Sequence, residues 1–238
     1  MGQCLSSKPS SPAVDGSSTT PCVLVIVGPS GVGKGTLISA LMTTVGIDLD
    51  LDRRAAPRLP LSLVLRASLV RQDDPSPYAF SVSHTTRSAR PGEKDGVHYH
   101  FTTKGAFEAD IADGKFIEHA HVHDNIYGTS FAAVEQVQND NKCCILDIDV
   151  QGARQVKASS LKSMIVFIAP PDVAELEKRL RGRGTETEEQ IKVRTANARA
   201  EMDSVQRERT LYDAVLTNDD FRTCLGELRA VAAKALEG

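Results

Sequence analysis

CVLVIVGPSGVGKGT, residues 22–36, is the stretch on which the fold turns. Its opening is a short apolar run rich in β-branched residues, stopped by Gly28 and Pro29, and it predicts a buried strand. Beyond the loop, Leu37, Ile38, Leu41 and Met42 recur at the spacing of one helix face. Strand, glycine-rich loop and helix in this order make a cradle for a phosphate chain. Gly28, Gly31, Gly33 and Gly35 free the backbone to wrap it, with Pro29, Ser30 and Val32 between them. The loop N–H groups and the helix N-terminus then face negative charge, and Lys34 is placed to reach the outer phosphates. The usual pattern sets Ser or Thr directly after that lysine to hold magnesium; here Gly35 stands there and Thr36 follows one place later. A glycine-rich turn that binds nothing is the competing reading. The preceding strand, the lysine and the following helix together weigh against it.

The rest of the chain is organised around that unit. Residues 1–20 are crowded with Ser, Thr, Pro and Gly and read as a flexible tail ahead of one domain at 21–237. Residues 46–78 break the rhythm with Asp, Arg and prolines and read as an insertion, although the apolar run at 59–70 is suited to a short packed helix. From 80 to about 129, short extended runs punctuated by PGEKDG and DNIYG predict small antiparallel strands with turns and no further helix pair. Then come a helix near 130–139, a strand at 143–147, a helix to about 157 and a strand at 164–168. Two charged helices between 172 and 209, a strand at 214–217 and a terminal helix complete the chain. Such alternation predicts an α/β fold, a parallel sheet covered by helices on both faces.

At 238 residues, 41% hydrophobic and 25% charged, the composition is that of an ordinary globular chain with one folding unit. A formal net charge of -3 argues against whole-surface attraction to nucleic acid or acidic lipid. No nucleic-acid partner is therefore expected, and phosphate binding falls to local arginines. The five cysteines are odd in number and lack CxxC spacing, which reads as a reduced, cytoplasmic protein. Cys143 and Cys144 adjoin in an apolar run, where successive side chains point to opposite faces. No apolar stretch approaches the roughly 20 residues that span a bilayer.

GPSGVGKGT, FSVSHTTRSARPGEKDGVHYHF, FIEHA, NIYGTS, ILDIDVQGA and RLRGRGTETEE follow one another in that order. In these motifs the chain resembles the guanylate kinases, over residues 22–237 apart from the insertion. The resemblance implies ATP-dependent phosphorylation of GMP, with dGMP an open alternative. It implies a P-loop parallel-sheet core with its loop at 28–36, an inserted small mixed-β GMP-binding domain at about 80–129, and a helical lid at about 179–194. By the same resemblance Ser83, Arg87, Arg90, Tyr99 and Tyr127 match the GMP phosphate site. Glu118 and Asp149 match carboxylates that accept from the guanine ring, with Ser83 and Thr129 also contacting the base. Arg179, Arg183 and Arg194 match arginines that join Lys34 around the transferred phosphoryl group, and Asn218 matches a residue near the adenine. Asp147 matches a carboxylate that meets Mg²⁺, the cofactor accompanying ATP, through water. Taken singly, the arginines of this charged region also read as surface partners of Glu175, Glu177, Glu186, Glu188 and Glu189. Two rival readings stay open: a silent kinase-like module that holds a protein ligand, and a kinase for another nucleoside monophosphate.

Two loose signals remain. His119, His121 and His123 alternate along one face of an extended segment, as His98 and His100 do, but they lack a fourth ligand and no zinc is expected. The opening MGQCLS fits N-myristoylation of Gly2, with Cys4 available for a second acyl chain that firm membrane anchoring would require. A monomer is expected.

Overall fold

In a computed structural model of the chain, residues 21–43, 76–122, 124–184 and 186–237 are described. The expected tail with Gly2 and Cys4, most of the expected insertion with its apolar run at 59–70, and His123 lie outside them.

Strand β1 (Val23–Val27) is wholly buried and leads through the glycine loop into helix α1 (Lys34–Thr43). Parallel strands β7 (Cys143–Asp147) and β8 (Ser163–Ala169) flank it, and β2 (Tyr78–Phe80) and β9 (Ala214–Thr217) close the edges in the order β2-β7-β1-β8-β9. Tyr78, read from the sequence as the end of the insertion, is thus the first residue of a core strand.

The period of two in β1 explains why a parallel sheet needs helices on both faces. Leu24 and Ile26 point to one side, against Leu37, Ile38 and Leu41 of α1 and against Leu225 and Leu228 of α7 (Phe221–Glu237). Leu176 and Leu180 of α5 (Val173–Arg183) and Ile191 of α6 (Glu188–Arg207) complete this layer. Val23, Val25 and Val27 point the other way, against Val134 of α3 (Phe131–Asn139) and Val150 and Val156 of α4 (Val150–Ala158). Cys143 belongs to the first layer and Cys144 to the second, as their adjacency predicts. Burial pushes both thiols up to about 12, so they behave as packing groups.

The second sheet holds β3 (His84–Thr85), β4 (His100–Phe101), β5 (Phe116–Val122) and β6 (Asn125–Ser130) in the order β4-β3-β6-β5. It departs from the expected antiparallel set in two ways. β3 and β4 pair in parallel, and helix α2 (Lys104–Ala112) lies between β4 and β5. This helix leaves little trace in the sequence because only Phe107 is buried; Thr103 caps its Ala106 N–H, and Phe107 stacks on Phe116 at 4.3 Å. Among the described residues no helix is long and apolar enough to cross a membrane.

Candidate active site

Ligands of open parallel sheets gather at the carboxyl ends of the strands. Here that edge carries Gly28 after β1, Asp147 at the end of β7 and Asn218 after β9. The loop is held by backbone geometry that only glycine adopts freely. At Gly28, φ is 145° and a Cβ would meet the Ile168 carbonyl oxygen at 2.3 Å. Gly28→Ala is accordingly expected to lower unfolding free energy by roughly 2–4 kcal/mol and to erase ATP affinity. A urea midpoint and ATP titration matching wild type would contradict this.

Val32 N–H donates to Pro29 O, and Thr36 N–H donates to Gly33 O as the loop turns into α1, with Gly35 in the helix's first turn. The Lys34 ammonium donates to Gly28 O and stands 3.8 Å from Asp147 Oδ1. It is thereby held against the loop with only 15% of the side chain exposed. Asp147 keeps 37% of its side chain open to solvent, while dense packing around it raises its pKa and Lys34 opposes that rise.

Arg179 of α5 and Arg194 of α6 reach the same edge. Arg194 donates to Ser30 Oγ of the loop and faces Glu186 at 3.7 Å. Arg179 donates to Glu175 Oε1 at 3.0 Å and to the Asn218 carbonyl at 2.8 Å. Arg183 ends α5, one helical turn beyond Arg179. Asn218, read from the sequence as an adenine neighbour, has its amide committed to Val32 O at 2.7 Å, so it braces the loop. This role was not legible in the sequence.

On the second sheet, Arg87 donates to both carboxylate oxygens of Glu93 at 2.9 and 3.0 Å and lies 5.4 Å from the Tyr99 ring centre. Tyr99 meets Tyr127 edge to face at 6.1 Å, Ser83 sits beside β3, and Arg90 is exposed on the following turn. Glu93 was missed: it lies in the PGEKDG turn, where no periodicity marks it. Hydrogen bonds from Arg87 and from the Arg90 N–H hold its carboxyl down at about 2. A folded pKa below the ordinary 4.5 means the pair is whole above about pH 4.5 and is lost as pH falls towards 2. An NMR titration of the Glu93 carboxyl is expected to show no midpoint above about pH 3; a midpoint near 4.5 would show that the pair is absent in solution.

Glu118 and Thr129 form a buried pair, with the Thr129 hydroxyl donating to Glu118 Oε1 at 2.6 Å. Burial raises the Glu118 pKa and the Asp149 charge adds to the rise; Gly152 stands against both predicted base-reading carboxylates, its N–H donating to Asp149 and a Cβ there lying 3.0 Å from Glu118 Oε2. Asp149 also caps α4, accepting from the Gly152 N–H at 2.8 Å. Gln155 of α4 ties the two sheets by clasping His119 through its backbone N–H and carbonyl, at 3.1 and 2.9 Å. A further carboxylate, Glu201 on α6, feels both Lys34 and Asp149 and has a raised pKa through burial. It too was missed, because it sits in a charged helix with nothing local to distinguish it.

Asp147 offers a hard, solvent-reachable oxygen beside the Lys34 ammonium. That suits Mg²⁺, which keeps most of its waters and takes one or two carboxylates together with phosphate oxygens. Among the described residues no group of three His, Cys, Asp or Glu converges as a metal cage.

The family model for guanylate kinase matches residues 64–235. Guanylate kinase 1 of Oryza sativa subsp. japonica is 51% identical over 206 residues, 87% of this chain and 46% of that protein. The chain thus spans about half the length of that relative, and the same share of Guanylate kinase 1 of Arabidopsis thaliana, which is 48% identical. The guanylate kinase of Homo sapiens is 39% identical over 217 residues, 91% of this chain and 95% of that protein. An alignment of that length in 238 residues reaches back across the glycine loop, ahead of where the family model begins. Among solved structures, the guanylate kinase from Anaplasma phagocytophilum superposes with a TM-score of 0.58 at 24% identity, over 92% of this chain and 88% of that one, a likeness of fold. On the matched model and these identities, the chain belongs to the guanylate kinase family of nucleoside monophosphate kinases.

Proposed function

We propose that this chain transfers the γ-phosphoryl group of ATP to GMP, giving ADP and GDP. The observation that carries the proposal is the juxtaposition of two unlike sites: a phosphate-wrapping loop with Lys34 and Asp147, and the Glu118 and Asp149 carboxylates beside the loop's edge of the sheet. Guanine presents N1–H and an exocyclic amino group, both donors, so acceptor carboxylates read it. Glu118 Oε1 is engaged by Thr129, which leaves Oε2 for the base, with Ser83 and Asp149 as further partners. Arg87, Arg90, Tyr99 and Tyr127 would hold the GMP phosphate, Arg87 through its planar fork.

A GMP phosphate oxygen then attacks the γ-phosphorus in line, the bond to the β–γ bridging oxygen breaks, and ADP leaves carrying that electron pair. No residue becomes covalently attached. Lys34, Arg179, Arg183 and Arg194 neutralise charge spread over the moving group, and Asn218 keeps the loop in shape. Asp147 would hold Mg²⁺ through water, and the ion would supply positive charge against the phosphates. The substrate test is GDP and ADP formation with GMP, dGMP, AMP and UMP as separate acceptors. Preference for a guanine acceptor is expected; equal use of AMP would remove the base assignment.

The enzyme would act as a monomer in the cytoplasm. Acylation of Gly2 and Cys4 is a separate proposal supported by the MGQCLS opening. Gly2→Ala should abolish myristate incorporation and shift any membrane fraction to the soluble one; identical fractionation of the two forms would favour a bare tail.

A further inference from the structure

We propose that Glu186 is a positioning residue that sets the Arg194 guanidinium over the phosphate-wrapping loop, acting through Arg194 and not on the nucleotide itself. The proposal rests on the phosphoryl-transfer reading above and assigns a role within it to a residue outside the predicted set.

The glutamates around the lid fall into two groups. Glu175, Glu177 and Glu188 pair with Arg179 and Arg181 while keeping 32%, 36% and 59% of their side chains exposed. Such pairs in water fix little. Glu186 differs, with only 8% of its side chain exposed beside an Arg194 that is 39% exposed. A carboxylate is not withdrawn from water unless a cation compensates it. Its Oε1 faces Arg194 Nη1 at 3.7 Å, and the same Nη1 donates to Ser30 Oγ in the loop. Ser30, Arg194 and Glu186 therefore form one line from the phosphate loop into the lid.

The other oxygen, Glu186 Oε2, is shielded from solvent and has no hydrogen-bond partner among the described residues. It is a spare acceptor next to a five-donor fork. When Arg194 turns from Ser30 Oγ to a phosphate oxygen, Oε2 can take a second N–H, so the arginine moves without leaving its counter-ion. Glu186 lies between two helix ends. Gly184 ends α5 in a left-handed conformation at φ 65°. Thr187 and Gln190 form a reciprocal capping box at the start of α6, with bonds of 2.9 and 3.3 Å. Glu186 thus stands directly ahead of the α6 cap and not on a helix face.

The test is a double-mutant cycle of Glu186→Gln with Arg194→Ala in the full chain, read by steady-state kinetics with ATP, Mg²⁺ and GMP. Glu186→Gln should lower kcat about ten- to a hundredfold, the scale of loss when a reacting group is misplaced by an ångström, and leave KM for GMP unchanged. In the Arg194→Ala background the same change should do nothing. Glu186→Asp, which keeps the charge, should recover part of the loss, and it carries the test if the glutamine variant does not fold. Wild-type kcat in Glu186→Gln, or an equal loss in both backgrounds, overturns the proposal. If the wild-type chain proves not to phosphorylate GMP, the functional reading fails separately. The cycle is then read on ATP affinity by calorimetry, where weakening only in the presence of Arg194 supports the Glu186 role and background-independent weakening, or none, overturns it.

Discussion

Lys34→Met in the purified full chain is expected to lower kcat by about 10²–10³-fold, the usual cost of deleting a preorganised donor from a phosphoryl-transfer site, while leaving the fold intact. Methionine keeps the stem that packs against the loop and removes only the ammonium. The ammonium is anchored by the Gly28 carbonyl and stands opposite Asp147, so it is aimed before the nucleotide arrives. Its loss also removes the positive charge that lowers the Asp147 pKa against burial. That pKa then rises further, and the acid limb of the pH–rate profile should move to higher pH: Asp147 is charged above its pKa and loses its charge as pH falls through it. Turnover at saturating ATP and GMP gives the first result and the pH profile the second. Unchanged kcat would mean that the lysine does not reach the reacting phosphates.

Glu118→Gln is expected to reduce kcat/KM for GMP by about 10²-fold, the scale of losing charge-assisted hydrogen bonds to two base donors, with little effect on AMP. The Thr129 hydroxyl still has a carbonyl oxygen to donate to, so the buried pair survives. The group left facing the base, however, is now an NH₂ opposed to guanine's own donors. Room for the carboxylate comes from Gly152, where an added Cβ would lie 3.0 Å from Glu118 Oε2. Because burial and Asp149 raise the Glu118 pKa, guanine recognition should weaken as pH falls through that raised value. Equal losses with GMP and AMP would assign Glu118 to the fold and not to the base.

The core was legible because its signals are local. β7 runs from Cys143 to Asp147 and β9 from Ala214 to Thr217, where the apolar runs begin and end. The face periodicity of Leu37, Ile38, Leu41 and Met42 likewise matches the buried side of α1. The second sheet was less legible. Strands of two residues, such as β3 and β4, carry no periodicity, and their parallel pairing needs a crossover of the chain between them that no local pattern announces. Helix α2 owes its place to one cap and one ring stack, neither of which leaves an amphipathic pattern.

The site divides in the same way. Glycines, lysine and the motif carboxylates stand in recognisable strings, whereas their supports are set by tertiary proximity. Arg194 meets Ser30 across 164 residues of sequence, and Asn218 meets Val32 across 186. Glu93, Glu186 and Glu201 each brace or surround a predicted residue, Gln155 braces the strand beside Glu118, and each looks in sequence like any other polar surface residue. Reading Asn218 by its motif gave no sign of the bond that occupies its amide.

The most direct measurement is steady-state ADP formation by the full chain with ATP and Mg²⁺, with and without GMP. A two-site phosphotransferase predicts turnover that depends on GMP, saturates with it and yields one GDP per ADP. GMP binding demonstrated by calorimetry without turnover above the ATP-only background would contradict it, and would make the chain a nucleotide-binding module in the shape of a kinase.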